Sequence, residues 1–196
     1  MPRRRANFGK SAYPSATRYC LLIRHCQAVS QASQAPLTDA GRRQSAELAD
    51  FLAERPVDYI VSSSFVRARQ SIDPFAHRSG LAVNVDHRLI ERRLSGRPMA
   101  HWQQIVRNSF ADLDLRLPGG ESGREVQQRA WAALRETMQR GYVLPIFVTH
   151  GNLISLLLHS LDPGFGYRQW ASLSNPDVFQ LEAHGRGCWR IERIWS

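Results

Sequence analysis

Two histidines and two arginines stand where segments of opposite character meet. Arg24 and His25 follow the apolar run "CLLI". His150 follows "LPIFVT" and precedes Gly151 and Asn152, which open the apolar stretch "LISLLL". Arg67 lies just after the serine run Ser62–Ser64, near the start of "FVRARQSIDPFAHRSG". Guanidinium groups hold phosphate oxygens through charge-assisted forks, and helix amino ends add free N–H groups and a favourable dipole. An imidazole among such groups can attack phosphorus while the arginines take the equatorial charge. Each piece alone has a plainer explanation: a polar strand end, or a solvated arginine. Their joint placement carries the reading.

The four residues must converge for this to work, so the elements that carry them matter. Tyr19–Arg24 reads as a short buried strand. "LTDAGRRQSAELADFLAERP" reads as a helix, with Thr38 as its cap, Leu48, Phe51 and Leu52 on its apolar stripe, and Pro56 as its stop. "VDYIVSS" is a second strand, and a helix follows it to Gly80. "LAVNVD" alternates like a strand. From Glu91 to Gly120 the pattern is irregular, with a helix predicted around Met99–Asn108. Ser122 and Glu125 then form an S-x-x-E capping box. Val126, Ala130, Ala133, Leu134 and Thr137 fall on one face of the helix it opens. "LPIFVTH" is an apolar strand running into the buried helix "GNLISLLLHSL", and "DVFQLEA" and "CWRIERIW" read as a closing pair of strands.

Strands alternating with helices predict an α/β three-layer sandwich, a mostly parallel central sheet flanked by helices. Ligands bind beyond the carboxyl ends of the strands in such sheets. Arg24, His25, Arg67 and His150 are all expected at that edge.

Composition sets the surroundings. A chain of 196 residues with 43% hydrophobic and 22% charged content fits one globular domain. Residues 1–17 are read as a flexible basic tail and 18–196 as a single domain. Arg3, Arg4, Arg5, Lys10 and Arg18 have no acid among them, so residues 19–196 carry only +4 of the net +9. The tail lacks the apolar region of a secretory signal; an organellar transit peptide is the alternative to a solvated tail. No apolar run reaches the roughly 18 residues of a membrane span. No aromatic-basic interleaving suggests nucleic-acid readout. Cys20, Cys26 and Cys188 form neither a C-x-x-C nor a metal-ligand spacing, which points to a reduced, cytoplasmic protein without a zinc site.

The blocks "LIRHCQ", "SSSFVRARQS", "RLIERRLSG", "PGGES" and "VTHGNLISLLL", in this order, resemble the histidine phosphatase superfamily, also called phosphoglycerate-mutase-like. "SNPDVFQLE" resembles its late Asn-containing strand entry, and the likeness runs from about Tyr19 to Trp195. The resemblance implies a phosphomonoester hydrolase without cofactor or metal. His25 would become a phosphohistidine. Arg24, Arg67, His150 and Gly151 would hold the phosphoryl group, with His150 also counted as catalytic. Glu91 would protonate the leaving oxygen and then activate water; the plainer reading of Glu91 is an ion pair with a neighbouring arginine. Gln31, Arg92, Arg93, Trp102 and Glu121, with Phe110 and Arg97, are the expected substrate pocket, and Ser122 is either part of it or only a helix cap.

Departures from the family pattern shape this expectation. Gln31 stands where many mutases and some phosphatases have Asn. The loop from Gln27 to Pro36 is short, and the region after Glu91 lacks the expected Arg-rich, Tyr-containing stretch. The last two favour a phosphatase over a phosphoglycerate-mutase-type phosphoryl transfer, and the presence of Arg24, His25, Arg67, Glu91 and His150 together speaks against the other alternative, a non-catalytic binder of phosphorylated ligands. Cys26 stands where the family usually has Gly. It is read as a tolerated small residue, or as a thiol activated by its cationic neighbours and open to redox control. The expected partner is a small phosphorylated metabolite, with no membrane and no nucleic acid; a homodimer is compatible with this.

Overall fold

The computed structural model describes residues 18–184 and 188–195. The expected tail, residues 1–17, lies outside them. Six strands form one sheet: β1 (Arg18–Arg24), β2 (Tyr59–Ser62), β3 (Val83–Val85), β4 (Pro145–Thr149), β5 (Asp177–His184) and β6 (Cys188–Arg193), in the order β3-β2-β4-β1-β5-β6. The first four of that order run parallel, and β5 and β6 close the sheet antiparallel. This is the expected three-layer α/β sandwich.

Alternation along the strands builds the layers, because successive side chains point to opposite faces. Leu21, Ile23, Ile60, Ile146 and Val148 pack on one face against α1 (Asp39–Ala53) and α2 (Val66–Ser79). Leu22, Val61 and Phe147 pack on the other face against α4 (Gly123–Met138) and α5 (Gly151–His159), which follow α3 (Trp102–Ala111) in the chain. Helix α5 is buried from Gly151 to Leu158, which explains an apolar sequence without a polar face. A short α6 (Tyr167–Ala171) follows it.

Local signals fix the helix ends. Thr38 caps α1 by accepting from the Gly41 N–H at 2.9 Å. The Ser122–Glu125 capping box opens α4, and its predicted stripe is buried. Gly80 ends α2 with φ of 71°, a left-handed value that favours glycine. Two elements differ from the sequence reading. Helix α3 runs from Trp102 to Ala111, three residues later at each end than the expected Met99–Asn108. Helix α6 was not expected, since its five residues are too few to show a period. Among the described residues no helix is long and apolar enough to cross a membrane.

Candidate active site

Parallel neighbours bring β1, β2 and β4 to one edge: Arg24 lies opposite Thr149, and Ser62 opposite Val148. The four residues singled out by the strand-end argument meet there. His25 is 4% exposed, and Arg67 and His150 are fully buried. Arg67, read alone as a surface residue, is instead the hub. Its Nε donates to His25 Nε2 at 3.0 Å, its Nη2 lies 3.2 Å from His150 Nδ1, and its Nη1 donates to the Gln31 and Ala32 carbonyls.

These contacts decide the tautomers. His25 Nδ1 lies 2.7 Å from the Cys26 carbonyl, which can only accept, so Nδ1 carries the proton and Nε2 keeps its lone pair. The Asn175 side chain donates to the His25 carbonyl at 2.7 Å and steadies the backbone. His150 Nδ1 faces a donor, so its Nε2–H donates to Ser63 Oγ at 2.8 Å. Burial, with Arg67 and Arg24 nearby, pulls the pKa of His25 down to about 3. Burial and the proximity of His25 and Arg67 also push His150 well below its ordinary value. Both imidazoles are therefore neutral near pH 7.

Arg24 holds the Leu173 and Ser174 carbonyls through Nη1, while its buried Nε has no partner. A Cβ at position 151 would lie 3.1 Å from that Nε, so Gly151 lets the guanidinium approach the start of α5. The amino end of α5 is less open than its sequence suggested. Glu91 reaches across and accepts from the Asn152 and Leu153 N–H groups at 3.1 and 3.0 Å, and from the Arg92 N–H at 2.9 Å. Among the described residues Glu91 makes no ion pair, contrary to the plainer reading of it.

A clasp holds the segment around Glu91. Arg129 pairs with both carboxylate oxygens of Glu121, at 2.8 and 3.1 Å, and its Nη1 donates to the Arg88 and Ile90 carbonyls. Glu121 also accepts from the Arg93 N–H at 3.0 Å. Gly120 lies so close that a Cβ there would be 2.2 Å from the Leu94 carbonyl oxygen. Glu121 is thus engaged with Arg129 and the backbone, although it borders the pocket.

The cleft opens into a cavity of about 820 Å³, whose lining includes Arg24, Gln31, Glu91, Arg92, Arg93, Trp102, Glu121 and Gly151. Arg97 lines it too, but Phe110 does not: its ring packs edge-on against His159, 5.6 Å away, because α3 turns that face toward α5. Ser122 serves as the cap of α4. Arg92 is 5% exposed and tied to the Glu121 and Leu115 carbonyls, although its Nη1 has no partner. Gln31 contributes its carbonyl to Arg67.

The activated-thiol reading of Cys26 is overturned. Its side chain is fully buried in the core beside Leu37, Ala68 and Ile72, and burial pushes the thiol up to about 12. A buried thiol held protonated is a poor nucleophile. Sequence reasoning also missed Phe65, Met99, Trp170 and Asn152, which line the cavity, and Arg129, which supports it. Asn152 had a usable signal, its place directly after His-Gly; its buried amide has no partner at either atom.

Among the described residues no three His, Cys, Asp or Glu side chains gather as a metal-holding group. Comparison with known proteins agrees with the geometry. The profile of the histidine phosphatase superfamily, branch 1, matches residues 20–195. A probable phosphoglycerate mutase of Shigella dysenteriae serotype 1 is 28% identical over 152 residues, 71% of this chain and 67% of that protein. Mycobacterial glucosyl-3-phosphoglycerate phosphatase, solved with inorganic phosphate, superposes with a TM-score of 0.74 at 26% identity, covering 91% of this chain and 96% of that one. A phosphoglycerate mutase from Bacillus anthracis str. Sterne shares the fold, with a TM-score of 0.73 at 15% identity over 92% of this chain and 93% of that one. The chain belongs to the histidine phosphatase superfamily, and it is an enzyme of the histidine-phosphatase type.

Proposed function

We propose that this member of the histidine phosphatase superfamily hydrolyses phosphomonoesters through a phosphohistidine on His25. The observation that carries the reading is the state of His25: a neutral imidazole, its proton held on Nδ1 by the Cys26 carbonyl, its Nε2 lone pair among Arg67, His150 and Arg24. A phosphoryl group entering here displaces the Arg67–His25 bond, and Arg67 turns its N–H groups to the phosphoryl oxygens. Arg24 Nε adds a donor. Their positive charge stabilises the transition state.

In the first step Nε2 bonds to phosphorus as the bond to the leaving oxygen breaks. Glu91, on the cavity wall, gives that oxygen a proton. The imidazole carries the resulting positive charge, with its Nδ1–H still on the Cys26 carbonyl. In the second step water attacks phosphorus, Glu91 takes a proton back, and the P–N bond breaks to release inorganic phosphate and neutral His25. His150 gains a proton more readily beside the bound anion and then donates through Nδ1.

The mutase-like relative keeps phosphoryl transfer to a second hydroxyl as the second reading. Product analysis separates the two. Hydrolysis releases inorganic phosphate in step with the alcohol and forms no isomer from 3-phosphoglycerate, with or without EDTA. Isomer formation without phosphate release overturns the hydrolase reading, and dependence of the rate on a metal overturns the mechanism.

A further inference from the structure

The cavity is large for a phosphate and a few carbons: about 820 Å³ lies within the range of pockets that take drug-sized ligands. Part of its wall is aromatic and apolar. The rings of Trp102 and Trp170 meet edge to face with centroids 5.8 Å apart, and Met99 and Val106 flank them. Trp102 is 42% exposed, a large apolar surface left open to the cleft. The charge on this side is also one-sided. Of the two acids in the wall, Glu91 is held by backbone N–H groups and Glu121 by Arg129. Among the described residues the exposed guanidinium groups of Arg93 and Arg97 have no acidic partner.

We infer that the leaving group carries a flat aromatic or similarly apolar body and, beyond it, a second acidic group. The inference rests on the phosphomonoesterase reading and deepens it. The phosphate lies among Arg24, His25, Arg67 and His150. The body packs on Trp102 and Trp170, because an indole face favours flat apolar surfaces. The acidic group meets Arg93 and Arg97, which suit carboxylates and phosphates equally.

Three primary alkyl phosphates with nearly equal leaving groups test this: propyl, 3-phenylpropyl and 3-(4-carboxyphenyl)propyl phosphate. The expected kcat/KM rises about tenfold with the ring and about threefold more with the carboxylate. In Trp102→Ala the phenylpropyl-to-propyl ratio falls towards one. In Arg97→Met only the gain from the carboxylate shrinks. Equal rates for all three in the wild type, with turnover intact, overturn the inference and leave the hydrolase reading standing. The corresponding phosphonates, titrated calorimetrically, read the wall without turnover. Graded affinities in a chain that hydrolyses nothing keep the inference and overturn the catalytic reading; equal affinities overturn the inference.

Discussion

In the strand-end cluster His25, Arg67 and His150 are at most 4% exposed, whereas on the cavity wall Trp102 is 42% exposed. Arg67 is held at three of its nitrogens by two imidazoles and two carbonyls, while Arg93 and Arg97 have no acid to hold them among the described residues. The contrast separates two tasks. On the proposed reading the phosphoryl group is the same in every substrate, so buried donors at strand ends serve it with no more than an exchange of the Arg67–His25 bond for bonds to its oxygens. On the same reading the leaving group is what distinguishes substrates, and an irregular segment with a short helix can vary without disturbing the sheet. Glu91 sits between the two regions, its carboxylate on the N–H groups of α5 and its neighbour Ile90 held by Arg129.

The contrast breaks first at His25. His25→Ala is expected to lower kcat/KM by about 10⁴-fold or more, whatever the leaving group. Glu91→Gln is expected to cost about 10²–10⁴-fold on alkyl phosphates and far less on p-nitrophenyl phosphate, whose leaving oxygen needs little protonation. A loss equal for both leaving groups would remove Glu91 from proton transfer. Arg129→Met tests the link between the regions. Loosening the 88–93 segment misplaces the carboxylate, and a loss of about 10²-fold is expected on alkyl phosphates. A purely structural role would instead lower the rates on both substrate types alike.

Acid stability sharpens the comparison by a smaller effect. His25 and His150 are neutral when folded and titrate near 6.5 when unfolded, so the unfolded chain binds more protons as pH falls below 6.5. Their contribution is present above pH 6.5 and is lost as pH falls towards about 3, the folded value for His25. Urea denaturation at pH 7.5 and pH 5 is expected to show a steeper loss for the wild type than for His25→Asn/His150→Asn; parallel losses would contradict buried neutral imidazoles. The smallest effect is at Cys26. Iodoacetamide at pH 8 is expected to leave it unlabelled in the folded chain, with or without phosphate, as peptide mass mapping would show.

The strand-end site was legible because two general rules converge on it: apolar runs locate the strands, and parallel strands present ligands at their carboxyl ends. Glu91 was singled out only through the family resemblance, since nothing in its spacing ties it to His25. Arg129 was not legible at all, because its contacts join carbonyls 39 and 41 residues away. Cys26 misled because adjacency in the chain was taken as adjacency in space. The backbone turns His25 into the cleft and Cys26 into the core beneath α1 and α2. The cavity wall was only partly legible: Trp102 and Arg97 line the cavity, but Phe110 faces away, and Trp170 comes from a helix too short to show a period.

The central claim is that His25 takes the phosphoryl group on Nε2. Rapid mixing with excess substrate, an alkaline denaturing quench and ³¹P NMR with peptide mass spectrometry test it directly. The account predicts one phosphoryl group per chain at most, on the peptide containing His25, bound through Nε2 and absent from His25→Ala. Turnover with no such adduct in the wild type, or an equal adduct on another residue in His25→Ala, would contradict it.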